Sequence, residues 1–181
     1  MSLNHADQYQ KVGTFVVDDP VSAMNIVLGW QPRYVRAFNV NNLASYEYFS
    51  GMSAGTSLDN GNHADTQWSV NAAGSISLYA GRASGSTITG TVAVTAGSAT
   101  VTGTSTNFIG ELVVGDKIMV NGETRVVAAI ATTTSLTTET TFDAAASAVS
   151  CYDMSGKGPG FTPGTDICDT AADVVRWLAL R

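Results

Sequence analysis

Side chains with chemical potential are few in this chain and widely spaced. Asn-His-Ala-Asp occurs twice, at Asn4 to Asp7 and Asn62 to Asp65, and these copies hold both of the chain's histidines, His5 and His63. Imidazole nitrogens and nearby carboxylates are a ligand set for a transition metal, which would require the N-terminal segment to fold back onto the 51–66 loop. No HxxxH or CxxC spacing accompanies them, so two polar loop segments explain the pair as well. Asp59-Asn60-Gly61-Asn62 with Asp65 offers oxygen ligands for calcium. Gly61 stands where an EF-hand needs a ligand, however, and Asx-Gly clusters are ordinary turn chemistry.

Other constellations point the same way. Gly156-Lys157-Gly158-Pro159-Gly160 is glycine-rich and basic. It lacks the GxxxxGK[ST] spacing, and Pro159 removes an N–H that would face a phosphate, so it reads as a linker. A serine or cysteine nucleophile would have to borrow its base from His5 or His63, both in expected loops. Cys151 and Cys168 flank a Gly and Pro-rich loop that could bring them together, but in a chain without an export signal the expectation is two reduced, partly buried thiols. The expectation is therefore no catalytic residue, no cofactor and no metal.

Aromatic residues are the remaining candidates: Trp30, Tyr34, Phe38, Tyr46, Tyr48, Phe49, Trp68, Tyr79 and Trp177. Strand alternation places most of them in a core. A sugar-stacking platform would use Trp68 or Tyr48 beside the long loop, with Asp59 and Asp65 as polar partners.

The elements that must position these residues read as β throughout. Val12 to Val17, Val21 to Leu28, Arg33 to Val40, Ser45 to Ser50, Gln67 to Val70 and Ser75 to Ala80 read as strands. In the third of these, Tyr34, Arg36, Phe38 and Val40 share one face and Arg33, Val35, Ala37 and Asn39 the other. Gly51 to Thr66 reads as a long surface loop, and residues 1–11 as a polar arm. Residues 86–152 form a Thr, Ser, Ala and Gly-rich stretch expected to be a β-module of about six strands. Within it Ala96-Gly97-Ser98 makes one turn, and Asn121-Gly122 joins strands at 117–121 and 123–131 through a type I′ turn. Phe108, Ile109, Leu112 and Val113 are spaced as an apolar plug, with Phe142 as a second. After a linker at Ser155 to Gly164, Asp173 to Leu180 is expected to be a buried final strand rather than a helix, because Val174, Val175 and Trp177 favour extended backbone.

The expected fold is all-β: a discontinuous β-sandwich of residues 12–84 plus 155–181, carrying an inserted small sandwich or barrel at 86–152. Composition agrees, since 44% hydrophobic and 13% charged residues describe a globular chain whose surface polarity comes from Ser, Thr, Asn and Gln. Nine Lys plus Arg against fifteen Asp plus Glu give a net charge of −6 with no basic block, which argues against nucleic acid as a partner. There is no run of about 20 apolar residues and no signal-peptide pattern at the start, so neither a membrane nor export is expected.

Two resemblances add a context. The string VTAGSATVTGTSTNF followed by ELVVGDKIMVNGETRVVAAIATTTSLT, over roughly residues 90–152, resembles a β-module that recurs in tailed-bacteriophage structural proteins. Gly29-Trp30-Gln31-Pro32-Arg33-Tyr34-Val35-Arg36-Ala37-Phe38-Asn39, and Gly160 to Asp166 with the strand 174–180, resemble a strand and the closing hairpin of β-sandwich domains in phage virion proteins. Arg33 departs from that pattern where it prefers Asp, and Ala171-Ala172-Asp173 departs where it prefers Asn-Gly-Asp or Ser-Gly-Asp.

What the resemblance implies is a non-enzymatic phage virion structural protein, made in the host cytoplasm. Its most specific form is a capsid decoration or cement protein that binds the major capsid protein and neighbouring copies of itself as a homo-oligomer, a trimer among the options. The alternative is a tail-fibre or baseplate module that recognises host surface glycan. A depolymerase would need two carboxylates held about 5–9 Å apart, which ranks behind both.

Overall fold

In a computed structural model the chain is described for residues 9–17, 24–60, 68–71 and 73–181. It is almost wholly β, with a single short helix among the described residues. The first segment carries β1 (Gln10–Val16), β2 (Ile26–Val27), β3 (Tyr34–Asn39), β4 (Ala44–Phe49), β5 (Ser57–Asp59), β6 (Ser69–Asn71) and β7 (Ile76–Tyr79). The middle segment carries β8 (Ser86–Thr87), β9 (Thr91–Val94), β10 (Thr100–Thr104), α1 (Phe108–Glu111), β11 (Lys117–Val120), β12 (Glu123–Thr132), β13 (Ser135–Thr138), β14 (Ala146–Val149) and β15 (Cys151–Asp153). The chain ends with β16 (Gly160–Pro163) and β17 (Val174–Leu180). Two compact units result, one from residues 1–81 with 158–181 and the other from residues 82–157.

The first unit pairs a six-stranded sheet, in the order β1-β17-β3-β4-β5-β6, with a three-stranded sheet, β2-β16-β7. Described strand pairs within both sheets are antiparallel. The core between the sheets is built from one face of each strand: Val35 and Ala37 of β3, Tyr46 and Tyr48 of β4, Val175 and Ala179 of β17, against Ile76 and Phe161. Phe161 meets Trp177 edge to face at 5.5 Å between ring centroids, a favoured aromatic geometry. Placing Phe161 there requires β16 to lie tight against β2, and a Cβ at Gly160 would come 1.8 Å from the Ile26 carbonyl oxygen. Only glycine allows that approach.

The second unit is one eight-stranded sheet, β14-β9-β10-β13-β12-β11-β15-β8. A sheet with a single apolar face and no second sheet must curl over that face. Val92, Val94, Val101, Ile118, Val120, Val127, Leu136 and Cys151 gather into one cluster that Phe108, Leu112 and Phe142 fill from the connections. Two register shifts in β12, between Val127 and Ala129 and between Ile130 and Thr132, provide the bend. Asn121 and Gly122, at φ 49° and 80°, form the expected left-handed turn between β11 and β12. The unit is tied at its neck by backbone bonds in both directions between Arg82 and Lys157, at 2.8 and 2.7 Å.

The all-β expectation holds, and the last segment is a strand rather than a helix. Several local expectations need correction. The 51–66 loop contains β5, paired in register with β4, a strand of three residues too short to show periodicity in a Gly and Ser-rich stretch. The linker at 155–164 contains β16, the middle strand of its sheet. Gln10 and Lys11 belong to β1 rather than to an arm, while residues 1–8 lie outside the described part. Of the strand expected at 21–28 only Ile26–Val27 is paired, with 21–23 not described. The middle module has eight strands instead of about six, since the two-residue β8 and the three-residue β15 are too short to show periodicity. Phe108 to Glu111 form one helical turn, capped by the Asn107 side chain accepting from the Gly110 N–H.

Candidate interaction surface

With Val35, Ala37 and Asn39 inward, alternation turns Tyr34, Arg36 and Phe38 to the other side of the six-stranded sheet. Strand register then fixes their neighbours. Val12 pairs with Leu178, Leu178 with Arg36, Arg36 with Glu47, Glu47 with Leu58, and Leu58 with Val70. These six residues form one row across all six strands, on the face turned away from the core. A neighbouring row runs Leu180, Tyr34, Phe49.

This outward face is far more apolar than a solvated sheet face needs to be. Val12 is 67% exposed, Val70 69%, Val16 50% and Phe49 45%, and Tyr34, Phe38, Leu58, Val174, Leu178 and Leu180 are half-buried around them. Tyr34 and Phe49 stack at 5.2 Å with tilted rings. At the centre the Arg36 Nε lies 3.5 Å from the Glu47 carboxylate and donates to the Ser45 hydroxyl at 3.1 Å. Burial, and then the Glu47 charge, raise the Tyr34 phenol above its ordinary pKa. Contiguous apolar surface of this kind marks a contact surface in soluble proteins.

The residues singled out from the sequence are dispersed. Tyr48 is only 3% exposed and packs in the core, so it is withdrawn as part of a stacking platform: alternation along β4 points it inward with Tyr46. The Tyr46 hydroxyl donates to the Asp166 carbonyl at 2.7 Å. Of the aromatics, most of them expected in a core, Tyr34, Phe38 and Phe49 lie on the outward face. Trp68, 48% exposed, immediately precedes β6. Asp59 ends β5 opposite Tyr46 and Ser69. Asp65, His5, His63 and the rest of both Asn-His-Ala-Asp copies, and with them the metal and calcium readings, fall outside the described residues. Among the described residues no group of three His, Cys, Asp or Glu is close enough to hold a metal ion.

One spacing escaped the sequence reading. Gly51-Met52-Ser53-Ala54-Gly55 has the GxSxG form of a hydrolase nucleophile, which functions on a strand-to-helix elbow. Here it links β4 to β5, no helix follows, and the Ser53 carbonyl accepts from both the Thr56 N–H and hydroxyl as an ordinary turn.

The charged clusters of the second unit are structural. The Lys157 side chain is 8% exposed, its ammonium held by the Asp116 carboxylate and by that of Asp153 at 3.3 Å. Asp153 also accepts from the Ser155 and Gly156 N–H groups, and Asp116 from that of Val113. Lys157 is thus committed inside its own unit and cannot serve a phosphate. Glu123 receives the backbone N–H groups of Asp143 and Ala144 at 2.9 Å each, which hold its carboxyl below the usual range, and it pairs with Arg125, whose guanidinium lies 5.3 Å from the Phe142 ring centre. Cys151 and Cys168 are free and buried, one in each unit's core.

No protein-family model, no curated protein and no solved structure matches this chain.

Proposed function

We propose that this chain is a non-enzymatic structural protein of a tailed-phage virion, a capsid decoration protein that binds and stabilises the shell of major capsid protein. The observation that carries the reading is the exposed apolar face of the six-stranded sheet, from Val12 to Val70, which suits a protein whose work is contact with neighbouring copies of itself in a lattice, other surfaces being left to meet the shell. The sequence resemblance supplies the particle context. The low share of charged residues, 13%, adds that such surfaces can be covered without stripping many ions of water.

Such a protein acts by linkage. Binding the assembled shell and not its free subunits shifts the equilibrium towards the shell. Interfaces of about 800 Å² per partner suffice when the lattice presents many of them at once.

The test is the copy number in purified particles, by quantitative mass spectrometry against the major capsid protein. Hundreds of copies in simple ratio support the reading, and absence from the particle overturns it. A few to a few tens move the protein to the tail. There the exposed Trp68 favours the glycan-binding alternative, and a glycan-array signal lost in Trp68→Ala would establish it.

A further inference from the structure

The row Val12, Leu178, Arg36, Glu47, Leu58, Val70 reads the same in chemical type from either end, except that its two central residues carry opposite charges. Its midpoint falls between β3 and β4, the middle of the six-stranded order. A two-fold axis parallel to the strands, above that midpoint, lays β3 of one chain over β4 of another. Each Arg36 then faces Glu47 of the second copy, each Leu178 faces Leu58, and each Val12 faces Val70. In the neighbouring row Tyr34 faces Phe49.

We propose that the outward face of the six-stranded sheet is the interface between two copies of this chain, related by that axis. Isologous contacts need a self-complementary surface, and this face has one. The whole chain carries −6, which disfavours bringing copies together. The charged residues that strand alternation puts on this face are Arg36, Arg176 and Glu47, so the repulsion is not concentrated where the copies would meet. Six strands about 4.8 Å apart, up to seven residues long at about 3.3 Å each, give a face of roughly 25 by 20 Å. With side-chain relief its accessible area approaches the roughly 800 Å² per partner of a standard interface. Two such faces pack about 10 Å apart with strands nearly aligned, as sheets do within a sandwich. The inference names one partner within the virion reading and rests on that reading for its biological role. Its test uses the purified protein alone, so it can fail or succeed independently of the particle count.

The experiment is sedimentation velocity on the full chain up to about 100 µM, well above the micromolar end of the range for interfaces of this size. The expected species has twice the 18.8 kDa chain mass. Arg36→Glu and Glu47→Arg, each alone, place two like-charge pairs across the axis and should weaken association at least about tenfold. The two together restore the opposite charges and should return the dissociation constant to within about threefold of the original. Val12→Lys and Val70→Lys, at sites too exposed to affect folding, should weaken it independently. Near-ultraviolet circular dichroism checks that every variant is folded. A monomer at the highest concentration, a trimer, a dimer indifferent to the single reversals, or a double reversal that fails to recover would each overturn the proposal.

Discussion

Asn39 and Asp173 lie 134 residues apart in the chain, and their side chains meet at 2.8 Å, the Asn39 amide donating to the Asp173 carboxylate inside the first unit. The same amide donates to the Ile167 carbonyl at 3.1 Å, and its oxygen accepts from the Asn41 and Asn42 N–H groups at 3.0 and 3.4 Å. One fully buried side chain thus ties β3 to the turn that starts β17. Asn39→Ala leaves a buried carboxylate and a carbonyl short of a donor, with an expected loss of about 2–3 kcal/mol. Denaturant unfolding followed by tryptophan fluorescence reads it, since all three tryptophans, Trp30, Trp68 and Trp177, belong to this unit.

Ala172, in the turn before β17, has φ of +68°, where a Cβ is strained. It occupies the position where the resembled closing hairpin carries Gly. Ala172→Gly relieves the strain at a smaller cost in unfolded-state entropy, with an expected gain of about 0.5–1 kcal/mol in the same unfolding assay. A loss of stability would show that the turn does not need the left-handed conformation.

Lys157 neutralises two carboxylates that have little access to water, Asp116 and Asp153. Lys157→Met strands both and should cost the second unit about 3–5 kcal/mol. Adding Asp116→Asn and Asp153→Asn, whose side-chain oxygens still accept the backbone N–H groups of Val113, Ser155 and Gly156, should recover a large part of it. Amide hydrogen exchange in β11 and β15 is the measurement, because this unit has no tryptophan.

Burial pushes the thiols of Cys151 and Cys168 up to about 12 and 11, from an ordinary 9.0, and raises the Tyr46 phenol as well. At pH 8 the thiolate fraction is then about one in a thousand or fewer, so both cysteines should resist a disulfide reagent until the protein unfolds. The folded state holds these protons more tightly than the unfolded chain. Their contribution is therefore complete below about pH 9 and is lost as the pH rises towards 11–12. Cys168→Ala should flatten the alkaline decline of the first unit, followed by tryptophan fluorescence from pH 8 to 11. An unchanged slope would mean that the buried thiol is not its source.

Much of the fold was legible because it depends on near neighbours in the chain. Val35, Ala37 and Asn39 sharing a face, the Asn121-Gly122 turn, the Phe108 and Phe142 plugs and the extended β17 follow from period-2 alternation, the φ a turn demands and β-branched side chains. Short strands such as β5, β8 and β15 escaped, since two or three residues carry no period. Burial direction was legible only relative to an origin: the sequence put Tyr34 and Phe38 together on one face but could not say that the smaller Val35 and Ala37 face the core.

The candidate surface belongs to the tertiary structure. Backbone ladders pair any residue with any other, so nothing local says that residue 12 lies beside 178, 178 beside 36, or 58 beside 70. Those registers are set by the opposite side of the sheet, where slipping one strand by a residue would expose its apolar set. The sequence by itself determined which residues alternate and where the chain turns. The packing of the core decided which outward residues became neighbours, and with them the row of Val12, Leu178, Arg36, Glu47, Leu58 and Val70.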